Sequence, residues 1–186
     1  GLVFAEGPLV AGRLVESRFP VRAIYGFGGR LESFLQDYGE ELERRQIPVY
    51  EITRKIMGEV AGYDMHRGLL ASADKAPERS VAEVLDGART LVILEGVGDH
   101  ENIGSIFRNA AGMGVDGVLF GAATADPLYR RSVRVSMGHV LRTPFAHLEG
   151  TTTTWQRSLQ ELKDDGWWLV SLTPADDAVL LREACL

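Results

Sequence analysis

From Val81 onward the chain alternates at short intervals between apolar runs and stretches of helical periodicity, and this alternation constrains its fold more than any other feature. The pattern predicts helix over 81–85, strand over 91–94, helix over 102–112, strand over 115–120 and a short helix over 129–136. A strand over 145–148, a helix over 153–163 and a strand over 167–172 follow. Strands that each hand over to a helix return to pair in the same direction, so the reading is α/β, with a parallel sheet covered on both faces. Ligands of such sheets sit beyond the carboxyl ends of the strands.

Ahead of this region the periods are mixed. Glu6-Gly7-Pro8 introduces a helix over 9–15, with proline at its start. Residues 21–25 alternate as a strand before the loop Gly26-Phe27-Gly28-Gly29, and Leu31, Phe34, Leu35, Tyr38 and Leu42 trace an amphipathic helix that must end before Pro48. A strand over 49–52 and a helix over 54–60 complete this part. The polar stretch 73–80, which holds Pro77, separates two apolar regions, so the expected division is a domain over 1–74, a linker over 75–80 and a second domain over 81–186.

With 45% hydrophobic and 25% charged residues the chain has ordinary globular composition, and charges or glycines interrupt every apolar run well short of a membrane span. Cys185 is the only cysteine, and His66, His100, His139 and His147 lack paired metal-ligand spacing. The expectation is a cytoplasmic protein without disulfide, structural metal or membrane anchor. The chain opens on Gly1 with no signal-peptide pattern, and missing N-terminal residues are expected.

A net charge of −6 argues against a protein that coats nucleic acid through bulk electrostatics. The basic residues, however, are arginine except for Lys55, Lys75 and Lys163, and Arg130, Arg131, Arg134 and Arg142 fall close together. Arginine suits forked phosphate contacts. Two readings stand equally: contact with RNA, or pairing with acidic neighbours on a solvated face.

The segment from Leu94 to Gly114 joins a strand to a helix. Ile103, Phe107, Ala110, Ala111 and Gly114 form a face suited to the sheet, which leaves Asn102, Ser105, Arg108 and Asn109 for other surroundings. Asn102 and Arg108, six apart, diverge by about 120° on a regular helix, so both reach one site only if Asn102 lies at the helix entrance. Gly96-Val97-Gly98 invites a dinucleotide-site reading, but Glu101 stands where the third glycine belongs and would oppose a pyrophosphate. A turn capped by Asp99 and Asn102 before a purely structural helix is the plain alternative.

The run Asp99-His100-Glu101-Asn102-Ile103-Gly104-Ser105-Ile106-Phe107-Arg108-Asn109-Ala110 resembles the first motif of the SpoU (TrmH) family of RNA ribose methyltransferases, in the SPOUT superfamily, with His100 in place of the usual proline. Asp126-Pro127-Leu128-Tyr129-Arg130-Arg131-Ser132 through Ser136-Met137-Gly138 to Pro144-Phe145 resembles the second. Phe4-Ala5-Glu6-Gly7-Pro8-Leu9-Val10 and His66-Arg67-Gly68-Leu69-Leu70-Ala71 resemble the opening and exit of the substrate-binding domain that precedes the catalytic one in this family.

The resemblance implies a SPOUT-type α/β knot methyltransferase domain behind a small ribosomal-protein-like RNA-binding domain. It implies S-adenosylmethionine as cofactor, a homodimer, and methylation of a ribose 2′-hydroxyl, of ribosomal RNA before transfer RNA. By carry-over Arg108 sits beside the hydroxyl and a phosphate, Asn102 orients it, and Leu172, Thr173 and Pro174 form the first cofactor loop; Gly138 and Pro144 shape the site or only the backbone. The third motif, expected after residue 172, is not found before Leu186, so a chain lacking its C-terminal part, with an incomplete knot, is expected. The rivals are a non-catalytic ribosome-assembly factor of the same fold, and a nucleotide-dependent oxidoreductase or class I methyltransferase, which would need a glycine-rich loop and an acidic residue on the second strand.

Overall fold

The computed structural model describes residues 1–62 and 68–184, so His66, Arg67 and Cys185 lie outside the described residues. The chain divides into two compact units, 1–148 and 149–186.

The first unit holds two sheets. Its N-terminal part runs β1 (Leu2–Glu6), α1 (Pro8–Val15), β2 (Val21–Gly26), α2 (Gly28–Arg44), β3 (Val49–Glu51), α3 (Arg54–Ala61) and β4 (Leu69–Asp74). The strands lie in the order β1-β4-β2-β3, with β4 antiparallel to both neighbours and β2 parallel to β3. Neither β1 nor β4 was expected from the periodicity. Residues 69–73 of β4 are buried throughout, so the inside–outside alternation that marks a half-covered strand is absent, and Ala71, Ser72 and Ala73 bring little intrinsic strand preference. Gly7, at φ 85°, turns the chain from β1 into α1, where Pro8 takes the first turn that needs no amide donor.

Residues 75–80 connect the two sheets and are tied down along their length. The Lys75 amide donates to Gly1 O at 3.0 Å, an Arg18 guanidinium N–H donates to Pro77 O at 2.5 Å, and Glu78 accepts from the His147 amide at 2.8 Å. Ser80 then caps the next helix in a reciprocal box with Glu83.

Beyond the connection come α4 (Val81–Leu85), β5 (Leu91–Leu94), α5 (His100–Gly112), β6 (Gly117–Phe120), α6 (Arg130–Val135), a 3-10 turn (His139–Leu141) and β7 (Phe145–His147). The strands pair in parallel in the order β5-β6-β7, as the alternation of strand and helix predicts. One buried apolar cluster runs from Val3, Leu14 and Ile24 of the N-terminal part to Ile103, Phe107, Phe120, Val133 and Phe145. At its heart Phe145 meets Phe107 and Phe120 edge-on, with ring centroids 5.9 and 5.8 Å away.

The second unit contains α7 (Gln156–Asp164), with Trp155 and Leu162 buried. Gly166, at φ 94°, ends the helix: its amide reaches Lys163 O and that of Trp167 reaches Leu162 O, the paired bonds of a Schellman cap. The strand expected over 167–172 does not form. A strand exists through its ladder, and residues 168–172 make no backbone hydrogen bond with any described residue; Trp168, Leu169, Val170 and Leu172 are exposed. Apolar composition alone supplied no pairing edge. A 3-10 turn at Leu181–Glu183 follows.

Candidate functional site

The loop from β5 into α5 builds the site. Gly96, at φ 66°, turns the chain after the strand, and its amide donates to Ala122 O beyond β6. Asp99 is the N-cap of α5: its carboxylate accepts from the amides of Glu101 at 2.7 Å and Asn102 at 3.0 Å, and these bonds, helped by the charge of Arg131, hold it below the usual carboxylate range.

Ile103, Gly104, Phe107 and Ala110 face inward, while Asn102, Ser105, Arg108 and Asn109 are exposed. The expected partition of the helix therefore holds at these positions, although Gly114 is exposed. Asn102 sits in the first turn, at the entrance, on helical backbone. Arg108 lies about 9 Å further along the axis and about 120° around it. No hydrogen bond joins the two side chains, and Arg108 makes neither a hydrogen bond nor an ion pair with any described residue. Its guanidinium is available to a ligand rather than packed against the sheet.

Gly104 has a reason that periodicity does not reveal. A Cβ there would lie 2.8 Å from Val135 Cβ, 2.9 Å from Ser132 O and 3.0 Å from Ser136 N, so α6 crosses α5 at glycine contact distance. Ser132, fully buried, donates from its hydroxyl to His100 O at 3.0 Å and locks the crossing. The ring of His100 packs on Tyr129, with centroids 4.2 Å apart.

The arginine group proposed from sequence is dispersed by α6. Arg130 pairs with the buried Glu6 of β1 and donates to Ala61 O at 2.8 Å, and Arg134 approaches the same carboxylate at 4.0 Å. Arg131 turns the other way, to Glu101 at 2.6 Å. Only Arg142 of the four is exposed with no hydrogen bond or ion pair from its side chain to a described residue.

Arg142 instead belongs with residues that sequence reasoning passed over. Its amide donates to His139 O at 3.0 Å. Arg13, on α1, donates to Met137 O at 2.5 Å and packs where a Cβ on Gly138 would be 3.2 Å from its Cδ. Burial, then the charges of Arg13, Arg142 and Arg108, push the pKa of the half-buried His139 down. Arg13 and His139 are far apart in sequence, and no local pattern could have paired them. Gly138, at φ 81°, opens the 3-10 turn, so it shapes the backbone here.

Leu172, Thr173 and Pro174, expected to hold the cofactor, are all exposed; Leu172 is 82% exposed, and the Thr173 hydroxyl accepts from the Ala175 amide at 3.3 Å. As arranged, they form no cradle for a cofactor. Among the described residues no group of three His, Cys, Asp or Glu side chains gathers as metal ligands would, and no helix is long and apolar enough to cross a membrane.

Comparison with known proteins bears on what such a site serves. The family model of the SpoU rRNA Methylase family matches residues 89–184. An uncharacterized tRNA/rRNA methyltransferase of Mycobacterium tuberculosis is 48% identical over 183 residues, 98% of this chain and 61% of the relative. The 23S rRNA (guanosine-2′-O-)-methyltransferase RlmB of Bordetella pertussis is 30% identical over 175 residues, 90% of this chain and 69% of the relative. Among solved structures, an AdoMet-bound rRNA methyltransferase from Sinorhizobium meliloti superposes with a TM-score of 0.70 at 20% identity, over 86% of this chain and 58% of that one. The chain thus spans about three fifths of the length of the mycobacterial relative.

Proposed function

This chain belongs to the SpoU rRNA Methylase family, and from that premise we propose that it methylates a ribose 2′-hydroxyl of RNA, ribosomal RNA before transfer RNA, with S-adenosylmethionine as donor. The observation that carries the proposal is Arg108: a guanidinium with no hydrogen-bond or ion-pair partner among the described residues, on the exposed face of the helix that follows the first strand of the parallel sheet. S-adenosylmethionine supplies the methyl group in this chemistry, and residues 172–174, exposed as they are, offer it no cradle.

A ribose hydroxyl is a poor nucleophile until its proton begins to leave. Arginine keeps its own proton at any ordinary pH, so Arg108 acts electrostatically, stabilising negative charge as it develops on the 2′-oxygen and holding a neighbouring phosphate that takes the proton. Asn102, at the head of the same helix, orients the ribose or the guanidinium. Residues 1–74 act as the RNA-binding domain, and the protein works as a cytoplasmic homodimer, which sedimentation analysis tests.

The decisive experiment is methyl transfer to ribosomal RNA by the wild type and Arg108→Ala. The expected loss is roughly 10²- to 10³-fold. Equal rates would remove Arg108 from the reaction, and RNA binding without methyl transfer would favour an assembly factor.

A further inference from the structure

Two cavities of the first unit meet at Arg142. One, of about 260 Å³, is lined by Arg18, Arg79 and Arg142; the other, of about 450 Å³, by Arg13, Arg30 and Arg142. They follow the seam between the two sheets, since α1 and α2 bring Arg13 and Arg30 and the connecting stretch brings Arg79. The carboxylates on these walls are Glu16 and Asp37, and Glu16 already accepts the Tyr38 hydroxyl at 2.8 Å. Cations dominate the seam although the whole chain carries a net charge of −6.

The acids next to this row are engaged elsewhere. Glu83 accepts from the Ser80 amide and hydroxyl at 2.7 and 2.8 Å, and Glu78 from the amide of His147 at 2.8 Å and its ring at 2.5 Å. Arg18 and Arg79 line the same cavity, and burial, then the charge of Arg79, push the Arg18 pKa down against the opposing pull of Glu83 and Glu78. Arg18 is also held in place, donating to Pro77 O and lying 4.9 Å over the ring of Phe19. Pre-positioned arginines of like charge suit a ligand that brings successive anions, and the guanidinium fork matches phosphate oxygens.

We propose that Arg18, Arg79, Arg142 and Arg13 form a track for the phosphodiester backbone of an RNA strand, running along the seam between the two sheets toward Arg108. The proposal deepens the methyltransferase reading and rests on it. The helix α5, which carries Arg108, packs against the 3-10 turn His139–Leu141 that leads into Arg142, and this contact connects the track to the reacting end. The N-terminal sheet thereby contributes directly to how the strand is threaded.

Binding of a short single-stranded RNA, followed by fluorescence anisotropy across a salt series, tests the track. Arg79→Gln and Arg142→Gln should each weaken binding and reduce the slope of log affinity against log salt by about 0.7. Arg142→Lys should retain the slope. Arg44→Gln, which removes an exposed cation paired with Glu41 on α2, should leave it unchanged and controls for total charge. Should Arg79→Gln and Arg142→Gln match Arg44→Gln while the wild type transfers methyl groups, the track is refuted and the methyltransferase reading survives. Lost slopes without methyl transfer by the wild type would refute that reading and uphold the binding track.

Discussion

At Gly104 two preferences oppose each other. Alanine would favour the helix by up to about 1 kcal/mol, but its Cβ would collide with Val135 and with the backbone of Ser132. The collision wins, because backbone cannot step aside as a side-chain tip can, and Gly104→Ala should destabilise by about 1–3 kcal/mol in denaturant titration. His139 provides a second test. Its lowered pKa means that the unfolded chain binds the proton more readily, so this residue's contribution to stability rises as pH rises through the interval between the folded and unfolded values, and falls away below it. Arg13→Ala should move the NMR titration midpoint of His139 upward. No change would mean that the charge of Arg13 has no part in setting it.

At the level of elements, legibility followed locality. The short helix α4 and strand β5 have the bounds that the sequence pattern predicts, since an uninterrupted Leu-Val-Ile-Leu run marks the strand and what fixes the helix start, the Ser80–Glu83 box, is local. Strand β4 was missed because burial on both faces erases alternation, and residues 167–172 were misread because apolar content resembles a strand whether or not a neighbour is there to pair. Among site residues, the exposed face of α5 was visible in helical spacing. The convergence of Arg13 on His139, and the turning of Arg130 and Arg134 toward Glu6, depend on how β1 and α1 meet the later segments, which no local window contains. Glu6 is 2% exposed. Glu6→Ala should therefore cost about 3 kcal/mol, by leaving Arg130 without its carboxylate. Pairing it with Arg130→Met should recover part of that loss, and simple addition of the two effects would show that the ion pair carries no coupling.

For the whole molecule, the connection between the sheets is bonded to both of its flanks, whereas residues 168–172 make no such bonds with any described residue. Local opening governs proteolysis, so trypsin should release peptide after Arg182 well before it cuts at Lys75 or Arg79, as mass spectrometry of timed digests would record. Early cleavage at Lys75 would show that the anchored stretch opens freely. The carboxylate of Glu6, shared by two arginines from the far side of the seam, has a consequence for anyone who recombines such proteins. A chimera that exchanges the first 74 residues for those of a cousin inherits a foreign group opposite positions 130 and 134. Compatibility is thus written in three positions that straddle the splice point, and a graft that ignores them separates a lock from its key.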